Sequence, residues 1–263
     1  MIKLYQGDCL KLMADISPGS VDMILCDLPY GVTARNKWDY ILPFDELWAH
    51  YNRITKENAA IVLFAQDKFT MQLMASNAKN HRYNLIWNKV LPTGFLNANR
   101  QPLRVHEDIC VFYRKQPVYN PQKIKGKPCH TKGKAVGNMA DDSHQNNDYG
   151  NHKVVETEGD MKHPQSILTF PKPHPSVAVH PTQKPVELCE WLIRTYTNEG
   201  DWVLDNCMGS GTTGVAAALN ERNFIGMELD GGYFDVAKER IKQAVPNKLV
   251  WIEDEIREWK DFE

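Results

Sequence analysis

Asp201-Trp202-Val203-Leu204-Asp205 runs directly into Asn206-Cys207-Met208-Gly209-Ser210-Gly211-Thr212-Thr213-Gly214, and the small residues Ala216, Ala217 and Ala218 follow. An apolar strand ending in an acid, then a glycine turn, then a helix of small residues is one β-α unit. A second unit comes straight after it. Residues 224–227 read as a strand that ends in Glu228, and Tyr233, Phe234, Ala237, Ile241 and Ala244 recur at helical spacing. A last strand is expected near residues 249–252. Two such units joined by a glycine turn make a nucleotide-type half-fold.

The rest of the chain alternates in the same way. Residues 2–5 read as a strand and residues 9–13 as a short helix. Gly7-Asp8 lies at the turn between them, where Asp8 can cap the helix or reach a ligand. Residues 21–26 form the next strand. Phe44, Leu47, Trp48, Tyr51 and Ile54 keep helical spacing, and the uninterrupted apolar run 59–65 reads as a strand buried on both faces. Further strands are expected at 83–87 and 109–113, and helical spacing returns with Leu188, Cys189, Leu192, Ile193 and Tyr196. Fully apolar strands alternating with helices indicate an α/β fold, a Rossmann-like and mostly parallel twisted sheet with helices on both faces.

The 263 residues suffice for one large domain or a domain with an insert. With 31 basic and 33 acidic residues, overall charge announces no nucleic-acid partner, so any such surface must be local. The longest apolar run is too short to span a bilayer and the N-terminus lacks a signal-peptide pattern, so the expectation is a soluble cytoplasmic protein with no membrane partner. The six cysteines are scattered without a C-x-x-C pair, which marks neither a zinc ribbon nor any other metal site.

Composition changes after Tyr113. No acid occurs between residues 109 and 140, whereas Arg114, Lys115, Lys123, Lys125, Lys127, Lys132 and Lys134 are basic. Gly, Asn and His continue to about Lys162 with little periodicity. We therefore divide the chain into a catalytic half at 1–113, an inserted segment at 114–165 and a cofactor-binding half at 166–263. The insert reads either as a DNA-facing element whose lysines meet phosphates or as a solvated loop. Asn138, Gln145, Asn146 and Asn147 have the amide groups that read base edges.

The glycine loop formally matches G-x-G-x-x-G, with Glu228 at the offset of a ribose-binding acid. A pyrophosphate, however, prefers a helix N-terminus without a neighbouring negative charge, and Asp205 precedes this loop. An acid there suits a ligand carrying an ammonium group. S-adenosylmethionine meets this requirement: its amino group pairs with Asp205, its carboxylate with the helix N-terminus and its ribose hydroxyls with Glu228. No G-K-[ST] follows the glycines, which excludes a P-loop.

A second acid-ended strand, residues 21–26, leads into Asp27-Leu28-Pro29-Tyr30. An acid, an extended X-Pro pair and an aromatic ring deliver a carboxylate, free carbonyls and a flat surface to one crevice, the parts needed to hold a planar base by its amino group. Asp27-Leu28-Pro29-Tyr30, then His180-Pro181-Thr182-Gln183-Lys184-Pro185 before a helix, then the loop Asp205 to Thr213 together resemble the amino-methylating DNA methyltransferases of the β-group. The resemblance covers roughly 1–113 and 166–245. It implies the S-adenosylmethionine-dependent methyltransferase fold, with double-stranded DNA as partner and dimerisation common, although no stretch marks an interface.

By position, the resemblance assigns Asp205, Gly209, Ser210, Gly211 and Thr212 to the cofactor loop, Glu228 to the ribose, Lys184 to the methionine carboxylate and Asp8 to the adenine of the cofactor. Trp87-Asn88-Lys89 resembles a segment beside the target-base pocket; a core aromatic at a strand end is the competing reading of Trp87. Asp27 and the Leu28 carbonyl become acceptors for the amino hydrogens and Tyr30 stacks on the base, with Pro29 completing the catalytic tetrapeptide. The resembling enzymes mostly have Pro where this chain has Leu28, a departure that costs rigidity rather than the carbonyl.

In that family Asp at the first tetrapeptide position goes with adenine N6 and Ser with cytosine N4, so Asp27 points to adenine, with cytosine N4 as the alternative. A duplex hides the amine, so the base must flip out. Carbon-5 methylation would need a nucleophilic cysteine, and Pro128-Cys129 lacks the preceding apolar strand. A nicotinamide-dependent oxidoreductase accounts for the glycine loop but leaves Asp27-Leu28-Pro29-Tyr30 and the basic insert without a role. A DNA-binding module without chemistry leaves the intact Asp27 and glycine loop unexplained.

Overall fold

The computed structural model describes residues 1–31, 40–127, 159–173 and 183–245, together with the backbone of 252–256. Alternation within single strands sets its layers. In β2 (Val21–Cys26), Met23 and Leu25 enter one core while Ile24 and Cys26 enter the other. In β3 (Thr55–Ala65), Ala60, Val62 and Phe64 join the first core, and Ile61, Leu63 and Ala65 join the second. A sheet apolar on both faces must be covered by helices on both. The faces are covered by α1 (Cys9–Met13), α2 (Phe44–Ile54) and α3 (Asp67–Ser76) on one side, and by α4 (Val186–Tyr196), α5 (Thr212–Leu219) and α6 (Gly231–Ala244) on the other. Each fully buried Leu or Ile here contributes about 1.5–3 kcal/mol relative to exposure.

The remaining strands of this sheet are β1 (Ile2–Gln6), β4 (His81–Thr93), β5 (Arg104–Phe112), β8 (Ile167–Thr169), β9 (Trp202–Asp205), β10 (Asn223–Glu228) and β11 (Ile252–Ile256). Their spatial order is β11-β1-β10-β9-β2-β3-β5-β4-β8. All neighbours are parallel except β3 with β5 and β4 with β5. From β2 the chain moves outward to β3, and from β9 it moves outward the other way to β10. The crevice beyond the adjacent ends of β2 and β9 is therefore the topological switch point, where open α/β sheets bind ligands.

Several features differ from the sequence reading, among them the short strands Ile124–Lys125, Met161–Lys162 and β8, which it does not contain. The last strand includes Ile252–Ile256, sharing Ile252 with the expected run 249–252, of which residues 249–251 lie outside the described set. It pairs with β1 through residues 252–256, whose sequence is largely acidic, as suits an edge strand. Helix α3 was not anticipated, because only Phe69, Thr70 and Leu73 of it are buried. Strands β4 and β5 are longer than their apolar cores, since their polar ends pair with each other.

The chain forms two units, residues 1–120 with 166–263, and residues 121–165. Residues 114–120, assigned above to the insert, belong to the larger unit, where the Arg114 guanidinium donates to the Thr55 carbonyl at 2.8 Å and Asn120 N–H to the Thr195 carbonyl at 2.8 Å. In the smaller unit β6 (Ile124–Lys125) and β7 (Met161–Lys162) pair antiparallel. Lys123, Lys125 and Lys127 are exposed there. Lys132, Lys134, Cys129, Asn138, Gln145, Asn146 and Asn147 lie outside the described residues.

Candidate active site

At the switch point lies a cavity of about 310 Å³. Its walls come from the ends of five parallel strands: Gly7 and Asp8 after β1, Asp27 to Tyr30 after β2, Gln66 after β3, Asp205 to Ser210 after β9, and Glu228 after β10. The two acid-ended strands singled out in the sequence are neighbours in space, with Ile24 opposite Leu204.

On the glycine-loop wall the acids are held by main-chain N–H groups. Asp205 is buried, and its Oδ1 accepts from Cys207 N at 3.1 Å. Burial pushes its carboxyl up to about 7, against hydrogen bonds from Thr213 and Cys207 that favour the ionised form. Glu228 accepts from Gly209 N at 2.8 Å and from Asp230 N at 2.9 Å, and burial raises its carboxyl as well. Asp8 caps α1 by accepting from Leu10 N at 2.9 Å, and it also lines the cavity. Behind the loop, Asn206 is tied to the Tyr51 hydroxyl at 2.6 Å, and Arg240 donates to Ser210 Oγ at 2.9 Å.

Gly211 does not line the cavity. It lies at φ +77, and a Cβ there would come within 2.8 Å of Ala237 Cβ, so its small size serves the contact between α5 and α6. Gly209, Ser210 and Thr212 do form part of the wall.

The opposite wall is an ionic chain. Lys184 Nζ lies 2.5 Å from Asp27 Oδ2 and 3.3 Å from Glu107 Oε2, while Lys89 Nζ lies 3.1 Å from Glu107 Oε1. Lys184 is buried over the rings of Phe64 at 5.0 Å and Trp87 at 5.8 Å. Burial works against its charge, yet Asp27 and Glu107 outweigh it and raise the ammonium above its usual range. For Glu107, burial pulls toward the neutral acid, and the ammoniums of Lys184 and Lys89 prevail and hold it low. The Tyr30 hydroxyl donates to Asp27 Oδ1 at 2.6 Å, and its ring stacks on Phe69 with centroids 4.9 Å apart. Burial, then the charge of Asp27, pushes the Tyr30 phenol up, which keeps it a donor.

Lys184, which the resemblance assigns to the methionine carboxylate, lines the cavity with its ammonium on Asp27 and Glu107. Trp87 is a core residue whose Nε1 donates to the Phe170 carbonyl at 2.8 Å. Glu107 has no motif in the sequence, because an acid beside Asp108 in the polar half of β5 reads as a solvated strand end; Lys89 stands out only within Trp87-Asn88-Lys89. Of the motif before α4, Gln183 and Lys184 line the cavity, and residues 174–182 are outside the described set.

Acids from the ends of neighbouring strands thus converge on the switch-point cavity of an α/β sheet, which is where such folds place their ligand sites. A family model described as DNA methylase, for the N6 and N4 methyltransferases, matches residues 21–239, and the chain belongs to that family. It is 26% identical over 270 residues to the type II methyltransferase M2.MboI of Moraxella bovis, covering 92% of this chain and 88% of that one. It is 28% identical over 268 residues to the orphan methyltransferase M.BamHII of Bacillus amyloliquefaciens, covering 91% of each. The solved structure of an M1.HpyAVI–SAM complex superposes with a TM-score of 0.59 at 28% identity, covering 91% of this chain and all of that one. Among the described residues, no helix is long and apolar enough to cross a membrane.

Proposed function

We propose that this chain transfers a methyl group from S-adenosylmethionine to the exocyclic N6 of an adenine flipped out of double-stranded DNA. The observation that carries the proposal is the opening of Asp27 and Asp205 onto one cavity from adjacent strands. A volume of about 310 Å³ is at the lower end of small-ligand sites. The residues fit the cofactor: Asp205, a buried acid destabilised in its ionised form, gains from an ammonium partner; Glu228 and Asp8 are acids at the ends of β10 and β1; Gly209, Ser210 and Thr212 present the start of α5. When bound, S-adenosylmethionine supplies an electrophilic methyl group.

The chain's own residues prepare the amine. Its nitrogen lone pair is delocalised into the base, so the amino hydrogens need acceptors that favour a pyramidal nitrogen. Asp27, fixed from two sides by Lys184 and Tyr30, is one acceptor. The side chain of Leu28 is buried with the α1–α3 layer, and its carbonyl is the second. As the nitrogen gains carbon it sheds a proton, for which Asp27 is the adjacent base. Phe69 takes one face of Tyr30, and base stacking uses the opposite face. Positioning and fixed dipoles supply most of the acceleration.

Methylation-sensitive sequencing of DNA from cells expressing the protein tests the reading. N6-methyladenine at one recurring sequence is expected. Only N4-methylcytosine would overturn the choice of base, and unmodified DNA would overturn the activity.

A further inference from the structure

Strands β4 and β5 pair regularly from Leu85 opposite Ile109 to Asn88 opposite His106, then lose register until Thr93 opposite Arg104. At the slip Val90 lies at φ 68, an outlier for a β-branched residue, and its N–H donates to Asn88 Oδ1 at 3.0 Å. A bulge of this kind bends a strand and re-aims the residues beyond it. Past the bulge Gly94, at φ 88, starts a single 3-10 turn over Phe95–Asn97. Phe95 is 76% exposed and Leu96 84% exposed. Scattered exposed apolar residues need no explanation. Two adjacent ones on a raised tip, beyond two residues of positive φ, do.

The surroundings identify the occupant. Residues 68–106 contain no Asp or Glu, and Asn97, Asn99, Arg100 and Gln101 are exposed beside the apolar pair. Amides and guanidinium suit base edges and phosphates, and an apolar pair suits the gap between stacked bases. The arm is rooted at the cavity: Arg104 and Glu107 line it, and Lys89 is paired with Glu107. The root of the arm therefore borders the cavity that Asp27 also lines.

We propose that the arm formed by residues 90–103 is a DNA wedge, Phe95 and Leu96 entering the base stack beside the nucleotide that leaves it. The proposal rests on the base-flipping reading above. Unstacking and unpairing oppose flipping, and the opposition is smallest for a mismatched base. A wedge therefore matters on a matched duplex and little on one whose target is already unpaired.

Two measurements test it. With a duplex carrying the methylated sequence, the Phe95→Ala/Leu96→Ala variant should lose about tenfold or more in kcat/KM. With a mismatch opposite the target it should return to within about threefold of the unmodified protein, with S-adenosylhomocysteine affinity unchanged throughout. Undiminished activity on the matched duplex, or equal loss on both duplexes, overturns the wedge. So does a loss accompanied by a change of oligomeric state in sedimentation, which would assign the tip to contact between copies. Independently of turnover, a Phe95→Trp variant should show indole emission quenched by duplex DNA beyond any change in the unmodified protein, through stacking on bases. Absence of that quenching with DNA bound overturns the wedge even if no methyl transfer occurs. Quenching without transfer upholds the wedge and rejects the enzymatic reading alone.

Discussion

The two walls of the cavity hold their acids by different means. On the glycine-loop wall, Asp205, Glu228 and Asp8 are each bound by main-chain N–H groups within a few residues of a strand end. On the opposite wall, Asp27 is held by side chains from elsewhere in the fold: Lys184, with Glu107 and Lys89 behind it, and Tyr30. Main-chain partners survive side-chain substitution, whereas an ionic chain fails when one member is removed. The first wall should therefore resist mutation around it and respond to pH. The second should be sensitive to each ion.

The largest effect is expected at Asp27. Asp27→Ala should reduce methyl transfer by at least about 10²-fold, the scale of losing one aimed polar group, with S-adenosylhomocysteine affinity retained. Full activity, measured by tritium transfer to DNA, would sink the assignment. Lys184→Met comes next, because it removes the cation between two carboxylates, leaving Asp27 with Tyr30 alone and Glu107 with Lys89 alone. Removing one partner from a fully buried pair costs about 3–5 kcal/mol; the remaining partners and the partial exposure of Asp27 make that an upper bound here, and Lys184→Arg should recover part of the loss. Unchanged denaturant midpoints in Lys184→Met would show that the second wall does not depend on its ions.

The first wall is tested by pH. Because burial pushes Asp205 up to about 7 from 3.8, the folded chain binds more protons than the unfolded chain between those values. The contribution of Asp205 to stability without ligand therefore falls as pH rises through that window. Affinity for an ammonium-bearing ligand should move the opposite way, since only the carboxylate pairs with it. Calorimetry with S-adenosylhomocysteine should give about eightfold tighter binding at pH 7.5 than at pH 6, with proton release, and Asp205→Asn should abolish that dependence. A flat profile in the unmodified protein would detach Asp205 from the cofactor.

The smallest effect is outside both walls. Replacing Lys123, Lys125 and Lys127 by Gln should weaken DNA binding and reduce the slope of log K against log salt by up to about 0.9 for each phosphate no longer neutralised. The Lys125–Asp160 pair, 3.5 Å apart with Lys125 well exposed, should contribute little to stability. An unchanged slope would return these lysines to the status of a solvated surface.

This contrast also explains what was legible. A glycine turn following an acid-ended strand is a local device, as is an N-cap, so Asp205, Gly209, Glu228 and Asp8 could be read from neighbours along the chain. The α/β alternation was legible for the same reason, since strands such as 59–65 are apolar on both faces. Helix α3 escaped because so few of its residues are buried. Gly211 matched the motif, yet its smallness answers to Ala237 in the next helix.

The sequence by itself determined most of the helices and core strands, their order and the two acid-ended strands, because propensity, periodicity and turn chemistry act over a few residues. Only the tertiary structure decided that those strands lie side by side, that Lys184 pairs with Asp27, and that Glu107 joins Lys184 to Lys89. Charges attract according to distance and burial, and neither is specified until the sheet has brought β2, β4, β5 and the start of α4 together.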